Sequence, residues 1–143
     1  MPYHYLEHVA TADAAFEAWG ATPEELFTAA ADATLNVMLA DLDTVRKERE
    51  VTIDLANVEM DLLLFDFLNE LVFYKDARRL LLRPEYLTIV PGPAGIALHA
   101  VTRGEEIDFS RHDLSADVKA VTLHRFKVEE TAEGWRASVV LDI

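Results

Sequence analysis

The sequence predicts an α+β fold: a single domain over residues 1–143, in which antiparallel or mixed sheets built from hairpins pack around one buried helix and one amphipathic helix. Two segments have the apolar spacing of helices, and several shorter ones alternate apolar and polar residues between turns, as strands do. The chain has 143 residues and is 51% hydrophobic. This length allows one substantial core and is short for two domains.

The N-terminal part predicts two short strands followed by a capped helix. Residues 3–8 and 14–20 are the strand candidates. Thr22 can cap the helix, with Pro23 in the first turn and Glu25 three residues after the cap, which is the spacing of a capping box. The apolar face of this helix consists of residues at helical spacing: Leu26, Phe27, Ala30, Ala31, Ala33, Val37 and Met38.

The middle of the chain predicts a strand and a buried helix. Residues 41–50 form a charged connection, after which Val51, Ile53 and Leu55 alternate with polar residues as in a half-buried strand. Apolar side chains cover most of the circumference of the helix predicted over 58–74, and such a helix is buried. Its polar exceptions form one solvated or capping stripe: Asp66, Asn69 and Glu70.

The C-terminal half is predicted to be mainly β from Leu80 onward. A turn rich in Pro and Gly joins two strands into a hairpin, and a polar loop and a Glu-Gly turn separate the strands that follow. The predicted segments are strands at 87–90 and 96–102, a loop at 104–116, a strand at 118–128 and a final strand at 135–143.

Composition limits the classes of partner and site. The 26 acidic residues against 13 Lys and Arg give a net charge of −13. Because phosphate backbones are bound by clustered basic side chains, we expect no direct nucleic-acid binding, and we expect cations or basic protein surfaces as partners. The lack of cysteine excludes disulfides and thiolate metal sites. With no signal-peptide pattern and no apolar run of about 18 residues, we expect a cytoplasmic protein without a membrane anchor.

Three oxygen donors are candidates for a cation site. Asp142 lies at the end of the last predicted strand, where the terminus at Ile143 adds a second carboxylate, and Asp13 precedes the second predicted strand. Two anions held close together repel each other, and a bound cation removes that cost. Carboxylates suit Ca²⁺ or Mg²⁺. Each aspartate also has a plain structural alternative, Asp13 as a turn residue and Asp142 as a solvated charge.

Other chemistries have weaker support. His124 fits a hydrogen-bonded histidine within a sheet or a residue of a cleft. A metal-dependent phosphoester hydrolase could use Asp13, Asp142 and His124, but the sequence offers no activated nucleophile and no convincing acid-base pair. No Gly-rich phosphate loop is present.

Six blocks, in a fixed order along the chain, carry a resemblance to a known family. They are Leu6-Glu7-His8 with Thr11-Ala12-Asp13, Ala18-Trp19-Gly20, Leu68-Asn69-Glu70-Leu71, Lys119-Ala120-Val121-Thr122-Leu123-His124, Gly134-Trp135-Arg136, and Val140-Leu141-Asp142-Ile143. Together they resemble the archease family over essentially the whole chain. Two departures are the insertion of Val9-Ala10 between His8 and Thr11, and a more basic stretch at 74–79.

The resemblance implies a protein cofactor without catalytic activity of its own. Archeases act with the RtcB-type RNA ligase of tRNA splicing and RNA repair, promoting guanylylation of the ligase histidine and multiple turnover. The family's metal site, carried over by motif, implies Asp13, Asp142 and Ile143 as ligands of a divalent cation, with His8 and His124 as candidate accessory residues. A general chaperone or scaffold is the alternative function.

Overall fold

The computed structural model of the protein describes residues 2–7 and 13–143. In this part of the chain, seven strands form two antiparallel sheets, one of four strands in the order β1-β2-β7-β6 and one of three in the order β3-β5-β4. In chain order the elements are β1 (Tyr3–Leu6), β2 (Asp13–Gly20), α1 (Pro23–Met38), a 3-10 turn (Leu42–Thr44), β3 (Arg49–Asn57), α2 (Met60–Arg78), β4 (Leu80–Gly92), β5 (Gly95–Glu106), β6 (Ala120–Thr131) and β7 (Gly134–Asp142). The predicted α+β class is confirmed, with antiparallel sheets.

Both helices pack against both sheets and against each other, so the core is continuous from one sheet through the helices to the other. At the helix–helix contact the rings of Phe27 and Phe67 lie 6.1 Å apart between their centroids. Other fully buried side chains around them are Phe16, Leu26, Leu63, Leu64, Leu68, Leu98 and Leu141.

Helix α1 begins with the predicted capping box. The Thr22 hydroxyl accepts a hydrogen bond from the Glu25 N–H at 3.2 Å, and the Glu25 carboxylate accepts one from the Thr22 N–H at 3.2 Å. This reciprocal pair satisfies backbone groups that have no partner within the helix. Helix α1 follows β2 directly in the chain and packs against it.

Helix α2 is longer and less buried than predicted. It continues to Arg78, and ends where Arg79 adopts the left-handed conformation with φ of 56°. Its buried residues lie on one side, whereas the Phe73 side chain is 55% exposed. The expectation of burial on nearly all sides was therefore wrong, because the packing partners cover only one face. None of the helices in the described residues is long and apolar enough to cross a membrane.

The predicted hairpin is present, with strands much longer than expected. The predicted loop at 104–116 was wrong at its start, since β5 continues to Glu106. Gly104 lies within this strand, opposite Leu82 of β4. The strands approach so closely there that a Cβ atom would lie 1.7 Å from the carbonyl oxygen of Leu81. A glycine can mark close backbone approach in a strand as well as a loop.

The last two strands form the second predicted hairpin, although β6 begins at Ala120 and extends to Thr131. Its register with β7 breaks between Thr122 and Lys127, and Arg125 in this bulge has a φ of 53°. Along β7 the predicted alternation holds for the core side, where Ala137, Val139 and Leu141 are buried. Val140, predicted on the opposite face, is buried as well.

Candidate metal centre

Asp13 and Asp142 are brought together by strand register. Asp13 is the first residue of β2 and lies directly opposite Asp142, the last residue of β7. Directly opposed residues in antiparallel strands project from the same face, with Cβ atoms about 4.5–5.5 Å apart. By alternation this is the face opposite to that of core residues Val139 and Leu141. We call Asp13 and Asp142 the carboxylate pair.

The main chain holds Asp142 from both sides. Besides its pairing with β2, Asp142 lies opposite Ala120 on β6, and its carbonyl oxygen accepts a hydrogen bond from the Lys119 N–H at 2.8 Å. One step back along β7, the Thr122 hydroxyl donates to the Val140 carbonyl at 3.0 Å. Ile143 follows directly, half-buried and packed against the core. The third predicted donor is thus next to the carboxylate pair.

The donor set suits a hard cation. Both carboxylates of the pair are half-buried, and like charges directly opposite each other on paired strands destabilise the sheet until a cation neutralises them. Among residues 2–7 and 13–143, no three His, Cys, Asp or Glu side chains are grouped so as to hold a metal ion. Further ligands would therefore be main-chain oxygens, such as those of Ile143, or water. Oxygen-only sets of this kind fit Ca²⁺ or Mg²⁺.

The two accessory histidines do not enlarge this set. His8, with Thr11-Ala12 of the motif, falls outside the described residues. His124 is exposed and lies in the β6 bulge, and with Asp13 and Asp142 it forms no group that could share a metal ion. This removes the structural support for the hydrolase that would use the three side chains together.

The polar stripe on α2 has structural partners. Asp66 accepts a hydrogen bond from the Asn57 side chain at 3.1 Å, and the Asn69 side chain donates to the Phe65 carbonyl at 3.0 Å and accepts from the Val121 N–H at 3.5 Å. These contacts join α2 to β3 and β6, and they give Asp66 and Asn69 a structural role.

Sequence reasoning missed a buried lysine that is bonded to the segment before β6. Lys75 on α2 is only 6% exposed, and its ammonium group donates to Asp76, to Asp117 at 2.7 Å and to the Val118 carbonyl at 2.8 Å. Burial alone would lower the pKa of Lys75, but the bonds to Asp117 and Asp76 outweigh it and raise the pKa. The available signal was its spacing, because Lys75 follows Leu68 and Leu71 on the buried side of the helix.

A second buried polar cluster holds the connection between β5 and β6. The Asp108 N–H donates to Nδ1 of His112 at 2.9 Å, so Nε2 carries the proton donated to Glu105 at 3.1 Å. Arg111 and the Arg46 N–H also donate to the Glu105 carboxylate. Burial alone would raise the pKa of Glu105, whereas the bonds from Arg46, His112 and Arg111 outweigh it and lower the pKa.

This cluster should make Glu105 a source of stability that depends on pH. A carboxylate with a lowered folded pKa contributes stability above its unfolded pKa of about 4.3, and the contribution is lost as pH falls through the folded pKa. We expect Glu105→Gln to lower the free energy of unfolding by about 1–3 kcal/mol at pH 7, because buried donors lose a charged acceptor. In urea unfolding between pH 3 and pH 7, the difference from wild type should shrink below about pH 4.3.

Glu106→Gln is the matched control for this prediction. Glu106 is the next residue and pairs with Arg49 at 2.9 Å, with both side chains more than half exposed. Exposed pairs of this kind contribute about 0–1 kcal/mol, so the control should change stability little at any pH. A Glu105→Gln difference that stays constant from pH 3 to pH 7 would contradict the assigned role.

Comparisons with known proteins agree with this architecture along the whole chain. Residues 3–143 match the Archease protein family (MTH1598/TM1083). The chain is 38% identical to the protein archease of Methanopyrus kandleri over 143 residues, covering all of both chains. It is 35% identical to that of Methanosarcina mazei over 142 residues, covering 99% of this chain and 95% of the relative.

Two solved structures share the fold. The solution structure of Methanobacterium thermoautotrophicum protein 1598 superposes with a TM-score of 0.85 at 31% identity, covering 99% of each chain. A crystal structure from Thermotoga maritima, described as an archease and possible chaperone, superposes with a TM-score of 0.66 at 21% identity over 98% of each chain, and supports the fold alone.

The fold and the site define a class: an α+β protein with two antiparallel sheets around two helices and a carboxylate pair where β2 begins and β7 ends. Within that class, the full-length matches establish that the chain belongs to the archease family.

Proposed function

We propose that this protein activates an RtcB-type RNA ligase in tRNA splicing and RNA repair, without catalysing a reaction itself. In this proposal it promotes guanylylation of the ligase histidine and so supports multiple turnover. A divalent cation, Ca²⁺ or Mg²⁺, is held by the side chains of Asp13 and Asp142 and by a main-chain oxygen of Ile143. Membership of the archease family supports the choice of partner.

The observation that carries the proposal is the carboxylate pair. Two acidic side chains at the end of a sheet, directly opposed and turned away from the core, gain nothing from each other by packing. Their mutual repulsion costs about 0.2–1 kcal/mol relative to a neutral pair, so a ligand that offsets it is the simplest reason for the arrangement. The bound cation would supply positive charge at a place where a partner can approach.

Charge supports a protein partner. An RNA ligase needs basic surface to bind its substrate, whereas this chain has a net charge of −13. Opposite potentials raise the rate of encounter and select against acidic partners. Within the complex, Asp13 and Asp142 would bind the cation, and the Lys119 N–H would keep the Asp142 main chain in place.

A ligase turnover assay with and without this protein tests the function. With GTP, a divalent metal and substrate RNA in excess over the ligase, we expect ligation to stop near one turnover without this protein and to continue through many turnovers with it. The same number of turnovers in both reactions would contradict the proposal.

A general chaperone is the second candidate, and exposed apolar side chains favour it. Val58, Phe73, Phe109 and Leu123 are each more than half exposed, and such side chains can contact unfolded clients. This function predicts that aggregation of unrelated proteins is suppressed and that Asp13→Ala has no effect on that suppression. Loss of suppression in Asp13→Ala would contradict it.

A further inference from the structure

We propose that Lys75 is a positioning residue for the carboxylate pair: its buried ammonium group anchors residues 117–119, and these residues fix the main chain at Asp142. This inference rests on the proposed function, because it concerns the cation site proposed above. Lys75 itself lies on α2, and because its three N–H donors are bonded to protein acceptors it would not be a ligand of the cation.

The ammonium group of Lys75 has a complete set of acceptors. It donates to Asp76 on the same helix, to Asp117 at 2.7 Å and to the Val118 carbonyl at 2.8 Å. A lysine ammonium has three N–H donors, so each is used. Since two of the three acceptors belong to the segment before β6, these bonds tie that segment to α2.

The path from Lys75 to the carboxylate pair is short. Val118 is fully buried, and the next residue, Lys119, donates its backbone N–H to the Asp142 carbonyl at 2.8 Å. The residue after that, Ala120, lies opposite Asp142 in the sheet. A shift of Val118 would therefore move the Lys119 N–H and Ala120, which hold the Asp142 main chain on the β6 side.

The part of this segment before Val118 borders an open cleft. A cavity of about 420 Å³ lies beside Lys75, with apolar walls that include Met38, Leu81 and Phe109, and with residues 114–117 along its edge. At the start of the segment, the Ser115 N–H donates to the Met38 carbonyl at 2.8 Å. From Ser115 to Lys119, the Lys75 bonds to Asp117 and Val118 tie the segment to α2, in addition to the burial of Val118 in the core.

Electrostatics and positioning predict opposite effects when Lys75 is replaced. Removing one positive charge changes the net charge from −13 to −14, which by Coulomb attraction alone would strengthen cation binding. If Lys75 positions Asp142, its loss weakens cation binding in spite of the added negative charge. Stronger Ca²⁺ binding would therefore indicate an effect of charge alone, and weaker Ca²⁺ binding would indicate that Lys75 positions Asp142.

We expect Lys75→Met to weaken Ca²⁺ binding by about tenfold or more in isothermal titration calorimetry at constant ionic strength, the range seen when residues that orient metal ligands are replaced. Lys75→Arg, which keeps the charge and the donors, should recover part of the loss. Lys127→Met is the control, because Lys127 is on β6 with its side chain 65% exposed and paired with Glu129 at 3.1 Å. It makes the same charge change and should leave the affinity unchanged or slightly higher.

A second pair of variants keeps the test valid even where Lys75→Met folds poorly. Asp117→Ala and Asp76→Ala each remove one negative charge and one acceptor of Lys75, and their side chains are 65% and 55% exposed. Because Asp117 belongs to the segment that leads to Asp142, Asp117→Ala should weaken Ca²⁺ binding clearly more than Asp76→Ala.

Two results would overturn the inference, and they differ in kind. If Lys75→Met binds Ca²⁺ as tightly as wild type or more tightly, and the two aspartate variants are equal, the positioning role is wrong while the cation site stands. If Ca²⁺ binding by the wild type is unaffected by Asp142→Asn, the proposed cation site itself is wrong, and the inference falls with it.

Discussion

Replacing Asp142 by asparagine should abolish stimulation of ligase guanylylation while leaving the fold intact. Asp13→Asn should have the same effect, since the two carboxylates form one pair across β2 and β7. In EDTA, each variant should be as stable as wild type or more stable by about 0.2–1 kcal/mol, because a like-charge pair on opposed strands has been removed. Guanylylation is measured with radiolabelled GTP, and stability by urea unfolding.

Asp43→Asn is the matched control for these variants. The Asp43 side chain is 95% exposed and lies 3.7 Å from Arg83, in the 3-10 turn after α1. It makes the same chemical change and the same change in net charge, so it should keep full stimulation. Equal stimulation of the ligase by Asp13→Asn, Asp142→Asn and Asp43→Asn would contradict the role given to the carboxylate pair. Any effect on the ligase would then be a nonspecific effect of acidic charge.

The largest loss of stability is expected from Phe67→Ala. Phe67 on α2 is fully buried, and its ring stacks on that of Phe27 from α1, where the two helices meet between the sheets. Truncation removes apolar contacts and leaves a cavity, at a cost of about 3–5 kcal/mol. Urea unfolding measures this cost, and a loss of this size would be a large part of the stability of a typical domain.

Phe73→Ala gives the comparison within the same helix. Phe73 is 55% exposed, so its replacement should change the free energy of unfolding by no more than about 0.5 kcal/mol. Similar losses for Phe67→Ala and Phe73→Ala would contradict the one-sided packing of α2.

Local signals were sufficient for much of the fold. The α1 capping box depends on Thr22 and Glu25, three residues apart, and the structure has it as predicted. The turn at 91–95 and the turn before Gly134 likewise identified both long hairpins, because turn residues constrain the chain over a few positions. The alternation along β7 placed Asp142 on the face away from the core.

Longer-range interactions explain the misses. The ammonium group of Lys75 meets Asp117 from a distant part of the chain, a contact that no helical periodicity indicates. Gly104 was expected to begin a loop, whereas its lack of a side chain serves the close approach of β4. The bulge that sets His124 apart from the strand pattern of β6 also arises from pairing with β7.

The sequence proposed the residues of the candidate site but not their arrangement. Motif resemblance indicated Asp13, Asp142 and Ile143, but the sequence could not show that the two aspartates are directly opposed in register. Register depends on every pair along β2 and β7, from Asp13 with Asp142 to Gly20 with Trp135. The support from Lys119 and Lys75 likewise depends on contacts between separate segments.

The most direct test of the central claim is a Ca²⁺ titration by isothermal calorimetry of the wild-type protein, Asp13→Asn and Asp142→Asn. We predict one Ca²⁺ bound per wild-type chain, and no measurable binding by either variant, because each loses one of two charged ligands at a site with few others. Wild-type binding that both substitutions leave unchanged, or no binding by the wild type at millimolar Ca²⁺, would contradict the assignment of the carboxylate pair as a cation site.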